Sequence, residues 1–348
     1  METTLKYPSA TALKDAWETL KANQPKTRIR DAAKILEVSE LELLLTTENP
    51  APIRLKDDWA RILLSCRELG KVMALTRNDG CVLEHKGNFQ KITIHGTAPS
   101  QIATVIGPIE QRVFLNKWKY GFAVTTETAR GTMRSFQFFD QAGDAILKIY
   151  LQENSNQDAY DNMVATYRQK KESDPIQALP FEPQTYASAV DREAFAKDWE
   201  NMKDTHDFFG MLRKYNVHRL DAIKWIGEKW AYPVDRLSSR KILEVASDEK
   251  MPIMIFAGNK GNIQIHQGKV RTIRQLGDWL NVMDPDFNMH MDETCIAEAW
   301  VVHKNTDDGL VSSLELFDKD GEMIAQLFGL RKPGLPQNER WKNLIDSL

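Results

Sequence analysis

The stretch "SFQFFDQAGDAILKIY" (residues 135–150) is written again as "SLELFDKDGEMIAQLF" (residues 313–328), at an offset of 178 (318 − 140). Both copies carry S-x-x-x-F-D-x-x-G. Each reads as two strands around a turn, "DQAG" in the first and "DKDG" in the second. Upstream, "RNDGCVLEHKG" (77–87) aligns with "GNKGNIQIHQG" (258–268), placing Asn78, Gly80, His85 and Gly87 on Asn259, Gly261, His266 and Gly268 at an offset of 181 (266 − 85). A three-residue deletion between the blocks accounts for the change, and "YGFAV" (120–124) falls on "EAWVV" (298–302). Earlier still, "LEVSELELL" (36–44) resembles "YNVHRLDAI" (215–223), each inside a helical pattern. The chain is therefore a tandem repeat.

Each copy reads helices first, then strands, then a terminal helix. "GCVLEHKG" and "GNIQIHQG" are predicted strands between turn glycines. Helical periodicity is clear at "TRIRDAAKILEV", "SAVDREAFAKDWENM" and "HRLDAIKWIGEKW". Segregated helix and strand blocks predict an α+β fold, each half a large antiparallel β-sheet flanked by helices. The expected partition is an N-terminal repeat over 1–170, a Pro-rich polar linker over 171–189 and a C-terminal repeat over 190–348.

Composition narrows the function classes. Over 348 residues the formal charge is −3, so no broad basic field exists to hold a phosphate backbone. "TRIRDAAKILEVSELEL" resembles the start of a helix-turn-helix. Its second helix is acidic and it recurs as a repeat element, so nucleic-acid binding is not expected. Cys66, Cys81 and Cys295 form no CxxC pair, which fits a reducing compartment. The start "METTLKYPSATALKDAW" has no apolar core of a signal peptide, and no run of about 18 apolar residues occurs. A cytoplasmic protein that does not span a membrane is expected. No HExxH motif or paired cysteines suggest zinc.

A single ligand site breaks repeat symmetry, and three breaks stand out. Arg112 falls on His290, Lys148 and Tyr150 fall on Gln326 and Phe328, and His206 falls near Thr27. The C-terminal half thus has a histidine that its copy lacks, and the N-terminal half an arginine. One from each half facing across a cleft is the expectation. His85 and His266 are retained symmetrically, which points to a structural role, and His290 is expected to bond locally.

"KDTHDFF" (203–209), "FLNKWKYGFAV" (114–124), "SLELFDKDGEMIAQLFG" (313–329) and the two-fold repeat together resemble the bacterial haemin-degrading factor, or haemin-transport, family. The resemblance covers nearly the whole chain and rests on the order and duplication of these motifs. It implies a haem cleft between the halves, with His206 as the proximal iron ligand and Arg112 as the distal catalytic arginine. It implies Arg219 as a propionate-binding arginine, with Gln326 and Phe328 on the propionate side and Lys304 as the nearest match to a pocket lysine. Phe328 departs from the family's tyrosine and has no hydroxyl to donate.

The residue chemistry suits that reading. Neutral imidazole is one of the few protein ligands used for haem iron, and its second ring nitrogen needs a partner, for which Asp204 and Asp207 are both near in sequence. An arginine offers five donors to oxygen that develops negative charge. Phe208, Phe209, Phe114 and Trp225 are candidates for apolar contact with the macrocycle. No GxGxxG fingerprint is present, so electrons are expected from an external donor or a separate reductase. The implied function is degradation of haem with external reductant and dioxygen, releasing iron, alongside haem-uptake transporter components. The alternative is a haem carrier or buffer without catalysis.

Overall fold

Local chemistry sets where the elements begin and end. Ser39 accepts from the Glu42 N–H at 3.1 Å while Glu42 returns a carboxylate to the Ser39 N–H at 2.8 Å, a capping box that starts helix Glu40–Leu45. Glu37 and Asn216, equivalent at an offset of 179 (216 − 37), both end the preceding helix in the left-handed region, at φ 55° and 49°. Gly143 and Gly321 hold the same left-handed position in the two "D-x-x-G" turns, at φ 78° and 81°, where a side chain would be strained. The repeat is thus a repeat of turns as well as of apolar positions.

The computed structural model describes residues 7–129, 131–170, 176–331 and 334–348. The first six residues of the N-terminal stretch and residues 171–175 of the expected linker lie outside the described residues. Two compact units form: Met1–Thr76 with Lys86–Glu182 and Asn259–Asn262, and Arg77–His85 with Pro183–Gly258 and Ile263–Leu348. This differs from the contiguous partition expected from the repeat: Arg77–His85, a turn with the first part of strand Cys81–Gly87, groups with the second unit, and the turn Asn259–Asn262 with the first.

Side-chain amides explain the exchange. Asn78 accepts from the Gly80 and Cys81 N–H groups and donates to the carbonyls of Gly258 at 3.0 Å and Ile324 at 2.8 Å, within the second unit. Asn259 accepts from the Gly261 and Asn262 N–H groups and donates to the Ile146 carbonyl at 2.9 Å, within the first. These bonds satisfy backbone groups that would otherwise be buried without partners.

Within the first unit, antiparallel strands run in the order Ile53–Arg54, Tyr120–Thr128, Gly131–Phe139, Ala145–Ser155, Gly70–Arg77. Lys91–His95, Ile102–Ile106 and Gln111–Phe114 form a second antiparallel set. Val72, Ala74, Phe136 and Phe138 from the first set share one core with Ala103, Val105 and Val113 from the second. The second unit repeats the plan as Ala231–Val234, Glu298–Thr306, Gly309–Phe317, Met323–Gly329 and Ile253–Gly258. Ile273–Leu276, Trp279–Met283 and Phe287–Asp292 are its second set. The fold is α+β, a tandem structural repeat with a large antiparallel sheet flanked by helices in each half.

The segment after residue 175 carries no helix or strand up to Asp191, yet it is docked. Tyr120 donates to the Gln177 carbonyl at 3.0 Å, the Leu179 N–H donates to the Gln141 carbonyl at 2.7 Å, and the Lys260 ammonium sits 4.0 Å over the Phe181 ring, all in the first unit. Among the described residues, no helix is long and apolar enough to cross a membrane. Cys66 and Cys81 are buried free thiols that burial pushes up to about 12, so neither is a nucleophile near neutral pH.

Candidate functional site

"KDTHD" folds into a turn wired by its own carboxylates. Asp207 accepts from the backbone N–H groups of Lys203 and Asp204 at 3.1 and 3.0 Å, fixing the entry to helix Asp207–Tyr215. Asp204 accepts from the His206 N–H at 2.8 Å and lies 2.6 Å from the His206 ring Nδ1. The partner left open by sequence is therefore Asp204, while Asp207 serves the backbone. Accepting the His206 N–H, then the ring contact and the charge of Arg331, holds the Asp204 carboxyl below its ordinary range. The His206 side chain is 87% exposed, so Nε2 faces solvent while Nδ1 is held.

The strand register places the remaining residues of this unit on one sheet face. Glu315 pairs with Gln326, Ser313 with Phe328 and Val311 with Lys304, and the period of two along each strand puts Ser313, Glu315, Lys304, Gln326 and Phe328 on the same side. Arg219, the first residue of helix Arg219–Trp225, reaches this face and grips Glu315 with Nε and Nη2, both at 2.8 Å. Glu315 also accepts from the Lys304 ammonium at 2.7 Å, the Gln326 amide at 3.0 Å and the Ser313 hydroxyl at 3.2 Å. Arg219 also lies 4.9 Å over the Phe208 ring and 5.5 Å over Phe209, and Lys304 lies 4.6 Å over Phe208.

This cluster holds two cations and one carboxylate away from water. Burial works against a charged Glu315, yet Arg219 and Lys304 outweigh it and keep the carboxyl far below its ordinary range. Burial, offset by Glu315, pushes Lys304 down to about 8. The surplus positive charge suits an anionic ligand.

Four residues expected from the sequence thus meet in one unit: Arg219, Lys304 and Gln326 around Glu315, and Phe328 on the same face. His206 is held by the turn that leads into Phe208 and Phe209. Phe328 packs edge-on against Phe256 at 5.2 Å. Phe208 is buried as a floor under the two cations, whereas Phe209 is exposed. Trp225 instead carries the Arg192 guanidinium over its ring at 4.6 Å.

Arg112 belongs to the other unit, on strand Gln111–Phe114, where it donates to the Gln111 carbonyl and to Glu110, both at 3.2 Å. Phe114 is on the same strand, its N–H donating to the Gly261 carbonyl at 3.0 Å.

Sequence reasoning missed Glu315. Its signal was present, an acid between two leucines in "SSLELF", but only the register shows what surrounds it. His290 bonds Asn281 at 2.6 Å through Nδ1, the local contact expected of it. His85 and His266 are buried beside Phe287, with His266 stacked on that ring at 3.7 Å.

The family model described as the haemin-degrading HemS.ChuX domain matches twice, over residues 37–167 and 216–348. The chain belongs to this haemin-degrading HemS/ChuX family. The hemin transport protein HemS of Yersinia enterocolitica is 36% identical over 331 residues, covering 94% of each chain. The crystal structure of holo-PhuS, a heme-binding protein from Pseudomonas aeruginosa, superposes with a TM-score of 0.91 at 43% identity, covering 98% of this chain and 99% of that one. The Escherichia coli O157:H7 heme degrading enzyme ChuS gives a TM-score of 0.91 at 32% identity over 98% and 99%. In HemS/ChuX terms, Arg112, Arg219, Lys304, Gln326 and Phe328 lie inside the matched repeats, and His206 precedes the second one.

Proposed function

We propose that this chain binds haem and degrades it with an external reductant and dioxygen, releasing iron. The observation that carries the reading is the Asp204-backed His206 with its outward Nε2, set at the entry to a helix whose first aromatics lie under a buried cation surplus. A carboxylate behind Nδ1 fixes the orientation of the ring as a ligand. Arg219, Lys304 and Gln326 supply donors for the ring carboxylates of haem, and exposed Phe209 offers an aromatic face. Arg112 is the distal group in this reading, offering donors to oxygen that gains negative charge. Bound haem itself supplies the iron and the oxidisable ring. The resemblance to ChuS, described as a heme degrading enzyme, favours catalysis. The reading places the reaction in the cytoplasm, fed by haem-uptake transporter components and a reductase or diffusing donor.

Haemin titration of the apo-protein beside His206→Ala tests the binding. A saturable one-to-one Soret shift in the wild type, altered or lost in the variant, is expected. Reductant and dioxygen are then added to wild type and Arg112→Ala. Ring opening in the first, slowed in the second, supports the enzyme. An intact ring in the wild type, with transfer to an acceptor, leaves the carrier reading, which resemblance to a protein named a hemin transport protein also favours. No Soret shift in the wild type rejects both.

A further inference from the structure

We propose that Glu315 is a positioning residue that holds Arg219 and Lys304 together as one receptor for a carboxylate, and so makes the site select free carboxylates over neutral esters. The proposal rests on the haem reading above and adds a residue with no counterpart in it.

The geometry is that of an organiser. Glu315 is fully buried and takes four side chains from four elements: Arg219 from a helix, Lys304 and Gln326 from neighbouring strands, and Ser313 from its own. Two buried cations near one another repel, and neither would keep a fixed direction alone. One carboxylate bonded to both cancels half of their charge and fixes the guanidinium plane and the ammonium together. The remaining unit of charge is available to a ligand.

The first unit shows the same positions used to the opposite end. By the offsets of 179 and 178, Arg219, Glu315 and Gln326 correspond to Glu40, Gln137 and Lys148. There the acid sits on the helix and the base on the strand: Lys148 donates to Glu40 in a buried ion pair, and Gln137 donates to Ser135 at 3.1 Å. Arg30 lies 4.0 Å from the other Glu40 oxygen and 3.8 Å from Asp144, so two cations there meet two carboxylates. In the second unit the acid has moved onto the strand, where Arg219 and Lys304 both bond it directly. The inversion leaves that cluster with one cation more than its carboxylate.

Haemin and haemin dimethyl ester, titrated into the full-length apo-protein from pH 6 to 9, test the proposal in wild type and Glu315→Gln. The wild type is expected to prefer haemin by about 10-fold or more at pH 7, the worth of one charge-assisted hydrogen bond. That preference decays as pH rises through about 8, where buried Lys304 loses its proton. Lys304 is faced by Glu315 and Ser313 from one strand, Gln326 from another, and Arg219 and the Phe208 ring from the helices. In Glu315→Gln the preference drops to a few-fold and its decay moves to lower pH, because Lys304 has lost the carboxylate that favours its charge. Affinity for the ester falls less than affinity for haemin. A purely structural role would instead weaken both ligands equally and leave the pH limb in place. Equal weakening, or an unchanged preference, overturns the proposal. If Glu315→Gln does not fold, Glu315→Asp decides. Its shorter carboxylate predicts an intermediate preference and a limb between the two, and wild-type selectivity overturns the proposal. No Soret shift with either ligand in the wild type removes the haem reading, and this inference with it.

Discussion

Asp204 Oδ1 stands 2.6 Å from Nδ1 of His206 and also accepts that residue's backbone N–H at 2.8 Å. One carboxylate thus fixes both the chain and the ring of the same residue, and it does so on an exposed turn where neither would otherwise be held. A ring fixed through Nδ1 presents Nε2 in a set direction, which is the orientation a metal ligand needs.

Asp204→Asn keeps the shape of the turn and removes the charge behind the imidazole. Haemin affinity is expected to fall about 10- to 100-fold, less than in His206→Ala, where the ligand itself is gone. Titration followed at the Soret band measures both. Equal affinity for Asp204→Asn and wild type would show that the carboxylate does not act through the ring.

Phe328→Tyr adds the hydroxyl that the family pattern carries at this position. Phe328 is half-buried and meets Phe256 edge-on, so the new oxygen sits on an accessible rim rather than in a packed core. Haemin should bind a few-fold tighter, consistent with one added hydrogen bond of about 1 kcal/mol. Weaker binding would mean that the aromatic contact, not the missing hydroxyl, governs this position.

The buried Glu40–Lys148 pair predicts a stability effect far from haem chemistry. Glu40→Ala takes from Lys148 the carboxylate it is bonded to and should destabilise the first unit by about 3–5 kcal/mol. Replacing both partners, as Glu40→Leu with Lys148→Met, should come close to wild type, since two buried charges are then removed together. Urea denaturation of the three proteins reads the difference.

Stability should also fall in mild acid. Burial, aided by the nearby His266, pushes His85 down to about 3, and burial pushes His266 to about 4, against an unfolded value near 6.5. Below about pH 6.5 the unfolded chain takes up protons that the folded pair refuses, and each histidine then removes up to ~1.4 kcal/mol per pH unit. Asp140, raised to about 6 by burial and then by Asp144, runs the other way below pH 6 and offsets one of them. The histidine contribution to the urea midpoint should therefore be flat above pH 7.5, and the midpoint should drop from pH 6.5 and drop less steeply below 6. Removing one ring, in His85→Gln, should flatten the first limb. A wild-type curve without that limb would show that the buried pair is not neutral when folded.

The sequence by itself determined the repeat, the α+β class and the asymmetric residues, because turn asparagines, left-handed positions and alternating apolar residues leave local marks. "DQAG" and "DKDG", Asn78 and Asn259, and the helix starts at Glu40 and Arg219 are all legible from spacing. Arg219 and Lys304 were legible only through family resemblance, as were the roles of His206 and Gln326, since a lone polar residue has no period. The tertiary structure alone decided that Asp204 rather than Asp207 backs the histidine, that Glu315 gathers two cations, and that each unit borrows a turn from the other copy. Those outcomes depend on cross-strand register and on side chains more than ninety residues apart meeting in a medium of low dielectric. Which charges balance there is a property of three-dimensional neighbours, and no local pattern encodes it.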